Sequence, residues 1–280
     1  MSPMQAPRHW HRLARDRWAL AGLGLVTALT VLALAAPWIA PADPLRGSLD
    51  ESLRGPSPGF WLGTDVQGRD VLSRVLYGAR LSLVVGLVSQ SVAILLGLLL
   101  GLVAGYYGRW LDALLMRLAD VTLAFPSLLL LIAIAAAVTP SLPVVFVVIG
   151  LVGWAGMARL VRGQVLVLRG LEYVQAARAL GARDSRILAR HLLPGVLPPV
   201  IVAATLGVGG AIMAEAALSF VGLGAQPPSP SWGAMVADGR DLLRVAPWVS
   251  LVPGLAIGLT VLGINLLGDG LRDALEVRSA

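Results

Sequence analysis

One polar stretch, 172–194, separates two long apolar runs of this chain, and its residues are the ones placed to act on a partner. It reads EYVQAARALGARDSRILARHLLP and contains four arginines. Because a basic segment between membrane-crossing runs must face water, we expect it to be exposed. We call this stretch the polar island. The chemistry available to it is docking to another surface, through small side chains and through charge.

The polar island is predicted to fold as a helix, a glycine turn and a second short helix. Its first face holds residues at i, i+3, i+4 and i+7, which is helical spacing: Tyr173, Ala176, Ala177 and Leu180. Gly181 follows where a C-terminal cap needs a positive φ. Asp184 is the expected N-cap of the second helix, which is predicted to end at Pro194. By spacing alone, a basic loop without a partner fits equally well.

Residues that the chain lacks exclude several kinds of chemistry. All 22 basic residues are arginine, so no lysine is present for a Walker-type phosphate loop. The absence of cysteine excludes disulfides, thiolate nucleophiles and cysteine-ligated metals. His9, His11 and His191 lie outside the apolar runs. This placement argues against intramembrane haem and against a rhomboid-like serine protease, so no catalytic residue, metal or cofactor is expected.

The composition is that of an integral membrane protein. Of 280 residues, 57% are hydrophobic and 14% are charged, whereas a soluble domain carries about 25% charged residues. The lipid bilayer is therefore an expected partner. The net charge of +6 is expected to lie in cytoplasmic loops, and no nucleic-acid partner is predicted.

Six apolar runs are near or above the length of about 20 residues that crosses a bilayer. They are 18–40, 79–106, 113–138, 142–158, 196–221 and 247–268. Backbone groups in lipid need internal partners, so the predicted fold is all-α and polytopic, with six transmembrane helices. Pro126 and Pro253 are expected to kink the third and sixth helices.

The distribution of arginines predicts that both termini are cytoplasmic. Fourteen of the 22 arginines, including the seven from Arg159 to Arg190, fall in segments that are then inside, and six fall outside. The first run exceeds the 7–15 apolar residues of a signal peptide and is predicted to be an uncleaved anchor. We divide the chain into an N-terminus with its anchor (1–43), an outer connecting segment (44–78) and a five-helix core (79–280). The core contains a cytoplasmic loop at about 159–195.

Apart from Arg80 at the very end of its span, three charged residues fall within the predicted spans, where charge is costly and points to function. Arg117 and Asp120 are one helical turn apart and are expected to pair with each other. Glu215 has no neighbour in its own helix that could neutralise it. It is predicted to face either the translocation path or the seam with a partner subunit.

The polar island resembles the EAA loop of ABC importer permeases, which carries Glu-x-x-x-Ala-Ala, then Gly, Ile and Pro. The matching positions are Glu172, Ala176, Ala177, Gly181, Ile187 and Pro194. The resemblance implies that the two short helices are coupling helices, which sit in a groove of an ATP-binding subunit. One departure is that Gly195 follows Pro194, where relatives commonly have Asn.

Three further segments, 62–82, 222–233 and 265–275, resemble the C-type permease of dipeptide, oligopeptide and nickel importers, in the same order along the chain. The resemblance implies a type I ABC importer permease fold in a bacterial inner membrane. It also implies a second homologous permease, two ATP-binding subunits that hydrolyse ATP, and an extracytoplasmic substrate-binding protein. Peptides are the expected substrate, and nickel or its chelates are the alternative. An ion-gradient-driven secondary transporter and a scaffold that transports nothing are the other candidates.

Overall fold

The computed structural model describes residues 15–139 and 141–275, and the regular elements in these two ranges are helices, with two isolated β-bridges. The α-helices are α1 Arg17–Ile39, α2 Val71–Tyr107, α3 Arg109–Ala124, α4 Ser127–Ala136, α5 Leu142–Leu168, α6 Glu172–Ala179, α7 Asp184–Ile187, α8 Leu193–Phe220, α9 Trp232–Gly239 and α10 Trp248–Leu275. The predicted all-α class is confirmed. The predicted cytoplasmic ends of the chain, 1–14 and 276–280, lie outside the described residues.

Five helices are long and apolar enough to cross a membrane, judged by length and composition: α1, α2, α5, the continuous stretch Asp184–Phe220 and α10. The pair α3 and α4 forms a sixth span if its two halves are taken together, but they meet at 93°. The prediction of one kinked helix over 113–138 is therefore wrong. Phe125 is extended, at φ −88° and ψ 141°, because a residue that precedes proline is disfavoured in the α conformation.

The inner half of α5 extends the fourth span well beyond its predicted end at Ala158. The helix continues to Leu168, and Val161 and Val165 on this extension are fully buried. The prediction of 142–158 stopped at the first arginine, Arg159. Arginine is compatible with a helix that leaves the apolar region, because its long stem packs while its head reaches polar partners.

Glycines allow α2 and α5 to pack closely along the length of the core. Gly97, Gly101 and Gly105 recur every fourth residue on α2, and a Cβ at each would come within 2.5–2.7 Å of α5 atoms. Small residues at such positions let helix backbones approach each other. As a result, α2 and α5 form a tightly packed pair.

The anchor α1 packs against the last helix. A Cβ added to Gly22 would lie 2.7 Å from both the Gly263 carbonyl oxygen and the Leu267 nitrogen. At the other end of the core from the polar island, the connecting segment is fastened to α10 by the Trp248 indole, which donates to the Thr64 carbonyl oxygen at 3.1 Å. The outer segment therefore adds a packed cover to the end of the helical core.

Candidate functional site

The polar island forms the predicted helix and glycine turn. Gly181 has φ +80°, its N–H donates to the Arg178 carbonyl at 2.9 Å, and the Ala182 N–H donates to the Ala177 carbonyl at 3.1 Å. These two bonds are the Schellman pattern that ends a helix on a left-handed residue. The predicted cap at Gly181 is confirmed.

The second half of the island differs from its prediction at both ends. Arg183 occupies the N-cap position of α7, and Asp184 is the first residue of the helix. Nor does the helix end at Pro194, because a π-helical turn, Leu188–Leu192, joins α7 to α8. Proline is tolerated in the first turn of α8, where its missing N–H has little cost. The second half of the island and the fifth span are thus one continuous helical element, Asp184–Phe220.

An apolar inner side holds the island against the core. Val174, Ile187 and Leu192 are almost fully buried in a cluster with Val161 and Val165 of α5. Ile187, one of the six residues that match the EAA pattern, is therefore a packing residue. Movement of the island should carry the inner ends of α5 and α8 with it, because close-packed side chains transmit displacement.

The opposite side of the island is an exposed surface with apolar and small residues. Leu180 is 88% exposed and Tyr173 is 48% exposed. Among the EAA-matching residues, Ala177 is half-buried and four are exposed: Glu172, Ala176, Gly181 and Pro194. An exposed apolar patch rimmed by charge is typical of a protein-binding surface. We call Glu172, Tyr173, Ala176, Leu180 and Gly181 the outward face of the island.

Tyr106 at the C-terminal end of α2 joins the two halves of the island. Its hydroxyl donates to Asp184 Oδ1 at 2.6 Å, and the Arg178 guanidinium lies 5.2 Å from the centre of its ring. The first contact is a hydrogen bond to a carboxylate, and the second is a cation–π interaction. One aromatic side chain therefore contacts both α6 and α7.

The inner ends of the helices around the island are also joined by arginines of α5. Arg162 makes a two-pronged ion pair with Asp112 of α3, at 2.5 and 2.7 Å, and this geometry suits guanidinium and carboxylate. Arg169, just after α5, donates to the Gly105 carbonyl at 2.8 Å. Sequence reasoning missed these contacts, because their partners lie about 50 to 64 residues apart.

Asp120 pairs with Arg159 of α5 at 2.5 Å, so the predicted pair of Arg117 and Asp120 is wrong. The Arg117 side chain is exposed. The pair of Asp120 and Arg159 connects α3 to α5, whereas the predicted pair would lie within α3 alone. Together with the pair of Arg162 and Asp112, it fastens α3 to the inner half of α5.

Glu215 is fully buried inside this chain, at 0% exposure. Its Oε1 accepts a 2.6 Å hydrogen bond from the Ser219 hydroxyl, which lies 3.4 Å from the Ser231 hydroxyl at the start of α9. In this conformation the carboxylate faces α9 and its loop instead of a pore or a partner surface. The sequence interpretation also overlooked Ser219, one helical turn away, as a partner for Glu215.

A groove between α2, α4, α5 and α8 opens on the surface of the core, with a volume of about 350 Å³. A second groove of about 460 Å³ lies against α5, α8 and α10. The two share Leu160 and Ala203 in their walls. The two grooves therefore adjoin each other along α8.

Comparison with known proteins identifies two matching families. Residues 97–279 match the family described as the binding-protein-dependent transport system inner membrane component. Residues 5–56 match the N-terminal TM domain of oligopeptide transport permease C. The two matches cover the anchor and nearly all of the core.

Curated relatives align over nearly the whole chain. A dipeptide transport system permease protein of Alkalihalophilus pseudofirmus is 47% identical, over 95% of this chain and 87% of that protein. A glutathione transport system permease protein of Pectobacterium atrosepticum is 45% identical, over 95% and 89%. A di/tripeptide transport system permease protein of Pseudomonas aeruginosa is 45% identical, over 98% and 92%.

The solved structures with a similar fold include the methionine ABC transporter MetNI in inward-facing conformations. The match has a TM-score of 0.60 at 21% identity and covers 73% of this chain and 97% of that chain. A second crystal form of the same transporter matches with a TM-score of 0.59 at 20% identity, over 74% of this chain and 98% of that chain. At this identity the similarity concerns the fold.

Proposed function

The chain belongs to the family of binding-protein-dependent transport system inner membrane components and has the type I ABC importer permease fold; from this premise we propose that it imports di- or oligopeptides. It is a multi-pass inner-membrane protein. The peptide substrate is supported by relatives named for dipeptides, di/tripeptides and glutathione, which is itself a small peptide. Peptide translocation by this chain and a second, similar permease is driven by ATP hydrolysis on separate subunits.

The observation that carries the coupling mechanism is the outward face of the polar island. Its apolar and small residues are exposed, with Leu180 at 88%, while its inner side is packed into the core. An ATP-binding subunit that covers the outward face would contact Glu172, Ala176 and Gly181. Ala177 would complete this contact surface, which we call the joint. Ile187 and Pro194 would support it from the second half of the island.

The contacts of the island define how motion at this joint would reach the membrane. Tyr106 ties the island to α2, and the arginines of α5 tie α3 to the same region. The π-helical turn makes α7 continuous with α8. A displacement of the island would thus move four helices together, which is the rigid-body kind of change that alternating access requires.

The proposed orientation places the island and both termini in the cytoplasm. It is supported by the excess of arginine in these segments. The outer connecting segment and the proline-rich loop before α9 then face the extracytoplasmic side. There they would receive the substrate-binding protein.

Uptake measurements test the proposed substrate and energy source. We expect cells that lack this chain to lose uptake of a labelled dipeptide and to regain it when the intact chain is supplied. Uptake should follow cellular ATP and persist when the proton gradient is collapsed. Loss of nickel uptake alone would move the assignment to metal import, and dependence on the gradient without ATP would indicate a secondary transporter. Unchanged uptake of both substrates would refute the substrate assignment.

A further inference from the structure

The groove between α2, α4, α5 and α8 is bordered by hydrogen-bonding side chains that lack partners within the described part of the chain. Ser89 of α2 is fully buried and lines the groove. Its hydroxyl has no hydrogen-bond partner among the residues that the structure describes. Buried hydroxyls are normally paired, but this one is fully covered, so Ser89 backs the wall and the accessible polar group of the groove must be sought beside it.

Gln90, the next residue, adds an amide to the same wall. Its side chain lies over Gly207 of α8, where an added Cβ would collide with the amide group. Within the described part of the chain, this amide is not seen in any hydrogen bond. Because Gly207 has no Cβ, the Gln90 amide has room to rest against it in the wall of the groove.

The remaining lining of the groove is uncharged and largely apolar. None of the described residues in this wall is acidic or basic, and Gly153, Gly156 and Gly210 widen the space. The volume of about 350 Å³ falls within the range of small-molecule sites, roughly 300–1,000 Å³. At Leu160 and Ala203 it adjoins the second groove along α8.

The chemistry of this wall fits a peptide group. A glutamine amide both donates and accepts hydrogen bonds, and so does a peptide unit. Hydrogen bonds between the two do not depend on the side chains of the transported peptide. An apolar helix of a second permease laid on this wall would leave the Gln90 amide buried without a partner, which is unfavourable.

We propose that Gln90, whose amide rests against Gly207, forms a contact site for the backbone amides of the passing peptide. This inference rests on the proposed function and adds to it the group on the substrate that is recognised. Gln90 acts as a specificity-determining residue. Because it reads the backbone, the site accepts peptides regardless of sequence.

The test uses the complete transporter, purified and placed in proteoliposomes with its substrate-binding protein. Uptake of alanyl-alanine is compared with uptake of its analogue methylated at the peptide nitrogen, which has lost the donor. Gln90→Met keeps the length of the side chain without the amide. Gly207→Ala places a methyl group where the amide lies. Gly258→Ala of α10 is the matched control, since an added Cβ there meets nothing within 4 Å.

We expect Gln90→Met and Gly207→Ala to lower alanyl-alanine uptake about five- to tenfold, as for one lost hydrogen bond. The preference for alanyl-alanine over the methylated analogue should shrink by a similar factor. Gly258→Ala should keep both, and all variants should copurify with the second permease. Because the binding protein is the same throughout, these differences come from the permease.

Two results would overturn this inference alone. One is a peptide-importing wild type whose Gln90→Met variant keeps both the rate and the preference. The other is loss of the second permease on purification of Gln90→Met, which would make the groove a subunit seam. A wild-type transporter that imports no peptide would overturn the proposed function as well.

Discussion

The Tyr106 hydroxyl lies 2.6 Å from Asp184 Oδ1, and this bond joins the last turn of α2 to the first turn of α7, 78 residues further along the chain. The same ring contacts Arg178 on α6. Tyr106 is thus a link between the membrane core and both short helices of the polar island. If the island couples ATP hydrolysis to transport, this link would transmit its movement to α2.

Tyr106→Phe removes the hydroxyl and keeps the ring that Arg178 contacts. Loss of a hydrogen bond to a charged group costs about 1.5–3 kcal/mol, so the island should be held less firmly on α2. We expect the number of peptides imported per ATP hydrolysed to fall severalfold in proteoliposomes. Tyr107→Phe is the matched control, since Tyr107 is 46% exposed. Equal coupling ratios in the two variants would show that the bond has no part in coupling.

Leu180→Glu tests whether the outward face binds an ATP-binding subunit. Leu180 is 88% exposed, so the folding free energy should change by no more than about 0.5 kcal/mol. A charge in a covered apolar contact is costly, and we expect copurification with the ATP-binding subunits to be lost. Leu49→Glu, in the outer segment at 79% exposure, should keep it. Full copurification of Leu180→Glu would contradict the proposed joint.

Ile187→Ala tests whether this EAA-matching residue serves to pack the core instead of contacting a partner subunit. Ile187 is fully buried against Val161, Val165 and Leu192. The cavity should lower the free energy of unfolding by about 2–5 kcal/mol, and Ile187→Val should lower it by about 0.5–1.5 kcal/mol. Thermal unfolding in detergent measures both. A melting temperature unchanged by Ile187→Ala would mean that the side chain lies outside the core.

Arg162→Met tests the link between α3 and α5. The substitution removes the two-pronged pair with Asp112 and leaves a carboxylate that is 18% exposed. We expect a loss of stability of about 1–3 kcal/mol, because the unpaired group keeps part of its desolvation cost. Replacing both residues, with Asp112→Leu added, should recover part of the loss in thermal unfolding. No recovery would show that the two residues act independently.

Local features of the chain were predictable from its sequence, and contacts between distant segments were not. Gly181 could be assigned because a positive φ after a helix is a local requirement of the backbone. The sequence predicts a kink at Pro126, whereas the structure has two separate helices that meet at 93°. A proline is compatible with either outcome, and tertiary packing decides between a kinked helix and a broken one. Asp120 was assigned to Arg117 because spacing along one helix is visible, whereas Arg159 is 39 residues away.

The same limit explains what was missed at the candidate site. The repeating small residues of the island pointed to a docking face, and that face is exposed. Tyr106, in contrast, stands at the end of an apolar run and carries no signal of its link to Asp184. The hydrogen bond from Ser219 to Glu215 does follow helical i,i+4 spacing, and this signal could have been used.

The outward face of the island is proposed to couple ATP hydrolysis to transport. Dipeptide uptake by Gly181→Arg, measured alongside Gly181→Asn, tests this role. Asparagine tolerates the φ of +80° that arginine adopts at a cost of about 1–2 kcal/mol, and arginine adds bulk and charge to the joint. We predict that both variants insert into the membrane, that uptake is abolished in Gly181→Arg, and that Gly181→Asn keeps most of it. Normal uptake by an inserted Gly181→Arg variant would contradict the coupling role of the polar island.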